Sequence, residues 1–224
     1  MESCGPTKRY SGQSMLDSRM PYSTIISRIV PASADEDRVA HRHLDGAELI
    51  VLADGAGGMT GGRQAAELIV RFEFRALHGL ADCVDELRRL DGLVHSDASC
   101  GESTVVLLVV REGKLFGASV GDSGAWALTT DAIVDLTRHQ QRKPLLGSGI
   151  AEPTGFGPAL FNDRLLVASD GLLKYASRDR IHRVRFIRDL NAAAEELVAA
   201  ARLPSGVLQD DLSFVIVDPA RSPG

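Results

Sequence analysis

Four short acidic stretches punctuate this chain, and two of them end an apolar run of strand length. Leu49-Ile50-Val51-Leu52-Ala53 stops at Asp54-Gly55, and Leu165-Leu166-Val167-Ala168-Ser169 stops at Asp170-Gly171. Asp210-Asp211 instead opens the run Phe214-Val215-Ile216-Val217, and Asp35-Glu36-Asp37 follows a turn. Short runs of β-branched and large apolar residues bounded by Gly and Asp read as buried strands rather than helices. Such strands must lie in one core, so carboxylates far apart in sequence can meet at a common end. Oxygen donors gathered that way suit hard divalent cations.

Glycine and proline place the remaining boundaries. Ser23–Val30 reads as a first strand, and Arg38–Leu44 and Glu48–Ala53 as a hairpin turning at Asp45-Gly46, because tight hairpins need positive φ. Arg63–Leu80 shows helical spacing, with Ala66, Ile69, Val70, Phe74 and Leu77 on one side. Val84, Leu87 and Leu90 suggest a second, shorter helix. Ser103–Val110, Leu115–Val120 and Ala132–Leu136 read as strands, with Ala125–Leu128 continuing the second of them beyond Gly121-Asp122-Ser123-Gly124. His139–Pro158 is polar and rich in Gly and Pro and reads as loop. Leu165–Ser169 is a strand, helices are expected over Arg178–Arg185 and Ile187–Ala201, and Leu212–Val217 closes the chain as a strand. Strands at both ends around a central helix pair, joined by short turns, imply an α+β fold: a two-sheet antiparallel β-sandwich flanked by helices. The expected organisation is an N-terminal arm over 1–22, a single domain over 23–218 and a short tail over 219–224.

Composition narrows the function classes. The chain has 224 residues, a net charge of −5 and an apolar fraction of 44%, which fits one soluble domain with a sizeable core. The acidic balance argues against nucleic-acid binding. The cysteines Cys4, Cys83 and Cys100 are odd in number and form no C-x-x-C pair, which argues against a disulfide framework or a cysteine-based zinc site. No apolar run is long enough to span a bilayer and the N-terminus does not read as a signal peptide, so a cytoplasmic location is expected, with no membrane partner. His41 and His43 alternate on one strand, but no third ligand has a fitting spacing, and they read as exposed hairpin residues.

Each aspartate alone fits an ordinary Asx turn. The glycine-rich stretch after Asp54 lacks the patterns of a phosphate-cradling nucleotide loop. The ordered set carries more. Val51-Leu52-Ala53-Asp54-Gly55-Ala56-Gly57-Gly58, Gly121-Asp122-Ser123, Ala168-Ser169-Asp170-Gly171-Leu172 and Asp210-Asp211-Leu212-Ser213 resemble the motif series of the metal-dependent protein phosphatases of the 2C type, in order, from about residue 33 to residue 217.

That resemblance implies a Ser/Thr protein phosphatase using Mn2+ or Mg2+, two to three ions. It implies Asp54, Asp170 and Asp210 at the first metal, and Asp54 bridging to a second that Gly55 (through its carbonyl) and Glu36 also hold. Asp37 would support this shell, and Asp122 would share a third ion with Asp170. A water between two such cations loses its proton near neutral pH and attacks phosphorus directly. The implied partner is a phosphorylated protein, possibly with a Ser/Thr kinase to oppose; a monomer is expected.

The chain also departs from the family's pattern. Ala56 stands where animal members often have His, although bacterial members commonly lack that His. Ala32 and Ser33 stand where an Arg grips phosphate, so Arg28 or Arg38 would have to substitute. Gly124 follows Gly-Asp-Ser in place of Arg. The flap region between Ala125 and Phe161 reads as short, and the second central helix as clipped. Arg138, Arg142 and Lys143 read as a solvated loop. These departures motivate the rival expectation of a weak or inactive binding module on the same fold. A regulator phosphatase acting on an anti-anti-sigma-type protein is a third possibility within the family.

Overall fold

The computed structural model describes residues 23–32, 34–56 and 60–219. The expected arm over 1–22, the tail after Pro219 and the pair Gly57-Gly58 lie outside the described residues.

The chain builds two five-stranded antiparallel sheets. It runs through β1 (Ser23–Val30), β2 (Asp37–Leu44), β3 (Ala47–Asp54), α1 (Gly62–Arg71) and α2 (Leu80–Ser96), then β4 (Val105–Arg111), β5 (Lys114–Val120), β6 (Gly124–Leu128), β7 (Ile133–Asp135) and β8 (Thr154–Leu160). After β9 (Arg164–Ala168) come α3 (Asp170–Leu173), α4 (Arg178–Arg183), α5 (Leu190–Ala201) and β10 (Leu212–Pro219). One sheet has the order β1-β10-β9-β6-β7 and the other β2-β3-β4-β5-β8. This is the expected α+β sandwich.

Three apolar layers explain why the strand sequences are unbroken rather than alternating. Ile50, Leu52, Val106, Leu108, Val167 and Val215 fill the space between the sheets. The opposite faces of β3 and β4, with Leu49, Val51 and Leu107, pack under Ile69 of α1 and Leu87 and Leu90 of α2. On the other side Leu166, Phe214 and Ile216 pack under Ile181 of α4 and Ala194 and Leu197 of α5. A central strand covered on both faces has few positions for a polar residue. Each such Leu or Ile contributes about 1.5–3 kcal/mol by leaving water.

The hairpin expectation holds in detail. Asp45 and Gly46 have φ of 48° and 75°, the pair of left-handed residues that a two-residue turn of type I′ requires. Other elements differ from the sequence reading. The first helix does not reach Leu80: it stops at Arg71, after which Phe72, Phe74 and Leu77 are buried from extended backbone. Phe72 and Phe74 meet edge to face at 4.9 Å, and Arg42 of β2 donates to the Val70 and Phe72 carbonyls that end the helix. The alternation of Phe72 and Phe74 is a period of two, which the helical pattern had absorbed. The second helix, expected to be the shorter, is the longer of the pair at 17 residues against 10.

Ala125–Leu128 does not continue β5. The chain crosses between sheets at Gly121–Ser123, and β6 joins β9 and β7 in the other sheet. Part of the expected loop is β8, which pairs with β5 through an irregular register. Gly155, Gly157 and Pro158 hid it, since these residues mark breaks in most strands. Asp170 also opens a one-turn helix, α3, that was not foreseen.

Candidate metal centre

The sandwich brings the acidic strand ends to one edge. Glu36 comes from the β1–β2 connection, Asp54 from the end of β3, Asp122 from the crossover into β6, Asp170 from the end of β9, and Asp210 and Asp211 from the approach to β10. All six line one cavity of about 380 Å3, together with Gly55. Asp37 lies behind this wall. It is 1% exposed, sits opposite Asp54 in the β2–β3 register, and accepts a hydrogen bond from Ser169 Oγ at 2.8 Å. Its Oδ1 has no hydrogen-bond partner.

Glycines at the two Asp-Gly corners decide how closely neighbouring segments approach. In the structure the close approach is between protein segments: a Cβ on Gly55 would lie 2.5 Å from the backbone of Gly62, where α1 begins. A Cβ on Gly171 would collide with the carbonyl of Asp211. Gly171 therefore lets the end of β9 press against Asp210-Asp211, and Gly55 lets the end of β3 press against the start of α1.

Hydrogen bonds fix the wall. Thr104 N and Ser103 Oγ donate to the Asp54 carbonyl at 2.8 and 2.9 Å, and Ala56 N donates to the Glu102 carbonyl at 2.9 Å. Asp211 Oδ1 accepts from Ala32 N at 2.7 Å and Oδ2 from Glu36 N at 2.9 Å. Asp211 thus clamps the connection that carries Glu36. Sequence reasoning assigned Asp211 no role and did not see this clamp.

The electrostatics are those of acids with too few cations. Burial, then the charges of Asp37 and Asp170, push the Asp54 carboxyl above its ordinary range. Burial also raises Asp37. Asp170 is raised by burial and by Asp122 and Asp210, and Glu36 by burial and by Asp211. Like charges brought together out of water favour the neutral form unless a cation joins them.

Two arginines stand at the rim. Arg142 Nη2 donates to Asp122 Oδ2 at 2.5 Å; the sequence reading had left it in a solvated loop. Arg63, in the first turn of α1, pairs with Asp35 at 2.6 Å, donates to the Ala34 carbonyl, and counteracts the rise at Glu36. Arg28 and Arg38, the sequence candidates for gripping phosphate, are held elsewhere. Arg38 bonds the Asp35 and Asp37 carbonyls and Glu67, and Arg28 bonds the Ser27 carbonyl and Asn191. None of Arg28, Arg38, Arg63 and Arg142 is among the residues that line the cavity.

The histidine pair lies apart from this wall. His41 Nε2 and His43 Nδ1 approach Glu48 Oε2 and Oε1 at 2.6 and 3.4 Å.

The donor set fits a hard divalent cation. Carboxylates of Glu36, Asp54, Asp170 and Asp210 and the Gly55 carbonyl are all oxygen, and they share a cavity with room for ions and their waters. Among the described residues no three His, Cys, Asp or Glu side chains close into a finished ligand set. The acids line walls rather than a cage, an arrangement that leaves space for coordinated water.

No protein-family model and no curated protein matches the chain. Solved structures do. A bacterial serine phosphatase superposes with a TM-score of 0.76 at 20% identity, over 90% of this chain and 100% of that one. The chain has the fold of the bacterial serine/threonine phosphatases. The same phosphatase fold is seen in the serine/threonine phosphatase PstP of Mycobacterium tuberculosis, with a TM-score of 0.73 at 22% identity over 89% of this chain and 99% of that chain. Stp1 from Staphylococcus aureus gives 0.74 at 20% identity, over 91% of this chain and 96% of its own. Coverage of the phosphatase fold is thus nearly complete from both sides.

Proposed function

We propose that the protein is a Mn2+- or Mg2+-dependent serine/threonine protein phosphatase that hydrolyses phosphoserine and phosphothreonine in proteins and opposes a Ser/Thr kinase. The observation that carries this reading is the gathering of Glu36, Asp54, Asp122, Asp170 and Asp210 around one cavity of a phosphatase fold. Two divalent cations held there would lower the pKa of a shared water to near neutrality and offset charge on the phosphoryl oxygens.

The chain's own residues have separable tasks in this reading. Asp54 sits centrally, with Asp37 on one side and Asp170 on the other, and is the proposed bridging ligand. Asp170 and Asp210 complete one position, while Glu36 and the Gly55 carbonyl complete the other. Asp37 and Ser169 hold Asp54 and the β9 end from behind. Arg63, whose charge acts on Glu36, is the guanidinium proposed to meet phosphate, in place of Arg28 or Arg38. No Cys or Ser need form a covalent intermediate. Cys83 is buried and its thiol is pushed up to about 12, which keeps it protonated and unreactive.

The test is turnover of p-nitrophenyl phosphate and of a phosphothreonine peptide by the purified protein with Mn2+. Activity that disappears in Asp54→Asn and after chelation is expected. Equal rates in the wild type and Asp54→Asn would sink the reading and leave a binding module.

A further inference from the structure

Asp122, one of the carboxylates of the cavity, has its charge met by a side-chain cation. Arg142 Nη2 lies 2.5 Å from its Oδ2. The two residues before Arg142 are tied to the two that flank Asp122. Gln140 Nε2 donates to the Ser123 carbonyl at 2.7 Å, and Gly121 N donates to the Gln141 carbonyl at 3.1 Å. Gln141 Nε2 is held in turn by Glu152 at 3.2 Å. A long side chain on a free loop would lose much rotamer freedom on pairing; here the backbone is already placed beside the acid.

The guanidinium charge reaches past Asp122. It acts on Asp170 as well, after Lys174, against the repulsion between the two acids. Arg63 is paired with Asp35, and Lys174 lies over the Tyr175 ring with no hydrogen bond to Asp122 among the described contacts. A cation at Asp122 and Asp170 and an incoming metal ion would share the same oxygens and repel each other.

We propose that the Arg142 guanidinium is a tethered cation that takes the place of a third divalent ion between Asp122 and Asp170, leaving the cavity two metal positions. This rests on the metal-centre reading above. The Arg142 side chain is 77% exposed, so the pair can be opened and the substitution removed without disturbing the core.

The experiment is calorimetric titration of the metal-stripped full chain with MnCl2, with bound Mn2+ counted independently by electron paramagnetic resonance. The wild type is expected to take two ions. Arg142→Ala is expected to gain a third, weaker site, and Arg142→Ala combined with Asp122→Asn to lose it again. Arg142→Lys, which keeps the charge, should retain the wild-type count. An unchanged count and affinity in Arg142→Ala would overturn the inference while leaving the metal centre intact. A wild type that binds three ions would do the same. Absence of any Mn2+ binding by the wild type would overturn the metal-centre reading itself, and the inference with it.

Discussion

Two groups of buried carboxylates contrast in this molecule, one on the flank of α2 and one at the edge of the sandwich. On the flank each acid has its donors. Asp91 is 4% exposed and accepts hydrogen bonds from the backbone of Gly147, Gly149 and Ala151. Glu86 takes Arg89 and the Arg75 amide. At the cavity the neighbours of Asp54 are other acids, and Asp37 keeps an oxygen without a donor. Burying a charge is tolerated where donors meet it, and costs most where they do not. The flank acids therefore fasten a loop and a helix, whereas the edge acids are arranged for something the chain does not itself supply. Substitutions at the two places should have opposite consequences.

The largest expected effect is at the edge. Asp54→Asn should lower Mn2+-dependent turnover on the order of a thousandfold or more. It should also leave the metal-free protein as stable as the wild type or more so, because one of several repelling charges is gone. A marked fall in the melting temperature of metal-free Asp54→Asn would break the contrast.

Asp91→Ala should do the reverse. Three part-buried amides lose their acceptor, at a cost of about 2 kcal/mol, and the melting temperature should fall by roughly 4–8 °C. Mn2+ affinity measured below the transition should change little. A loss of metal binding with stability intact would show that the flank is part of the site.

The third expectation concerns pH. Without metal, Asp37 is pushed up to about 6 and Asp54 to about 9 from an ordinary value near 3.8. The folded state therefore holds protons that the unfolded chain releases. The stability these protons give is fully present below about pH 3.8 and is lost as the pH rises through about 6 and about 9. Mn2+ replaces those protons, so the decline should flatten or vanish when it is present. Melting curves from pH 5 to 9, in chelator and in Mn2+, measure both slopes. Equal slopes would mean that the edge acids are not compensated by metal.

The same division explains what the sequence disclosed. Strand ends, the Asp45-Gly46 turn and the sandwich were legible because apolar runs and left-handed turn residues act locally. The helix after Asp54 was drawn too long because Phe72 and Phe74 fit a helical stripe as well as an extended pair. β8 was hidden by Gly155, Gly157 and Pro158, residues that a regular strand avoids and an irregular edge tolerates. The acidic residues were found because they recur in motifs. Their arrangement was not, since it depends on contacts between distant segments: Asp211 with Ala32 and Glu36, Arg142 with Asp122, and Arg63 with Asp35. Asp91 carried no local signal at all, being one acid among several on a helix.

The smallest effect tests the rim. Arg63 extends from the first turn of α1 and is roughly half exposed, paired with an exposed Asp35. A pair of that kind adds little to stability, so Arg63→Ala should leave the melting temperature almost unchanged. If Arg63 meets the phosphate, its removal should raise KM for a phosphothreonine peptide by roughly tenfold, the loss of one charge-assisted contact. Arg63→Lys should recover part of this, since the charge remains and the planar fork does not. Arg28→Ala should leave KM and kcat as they are, because Arg28 is occupied with Asn191 beside α5. A KM that moves with Arg28 and not with Arg63 would return the phosphate grip to the position suggested by the sequence, and would require the β1–β2 connection to rearrange when substrate binds.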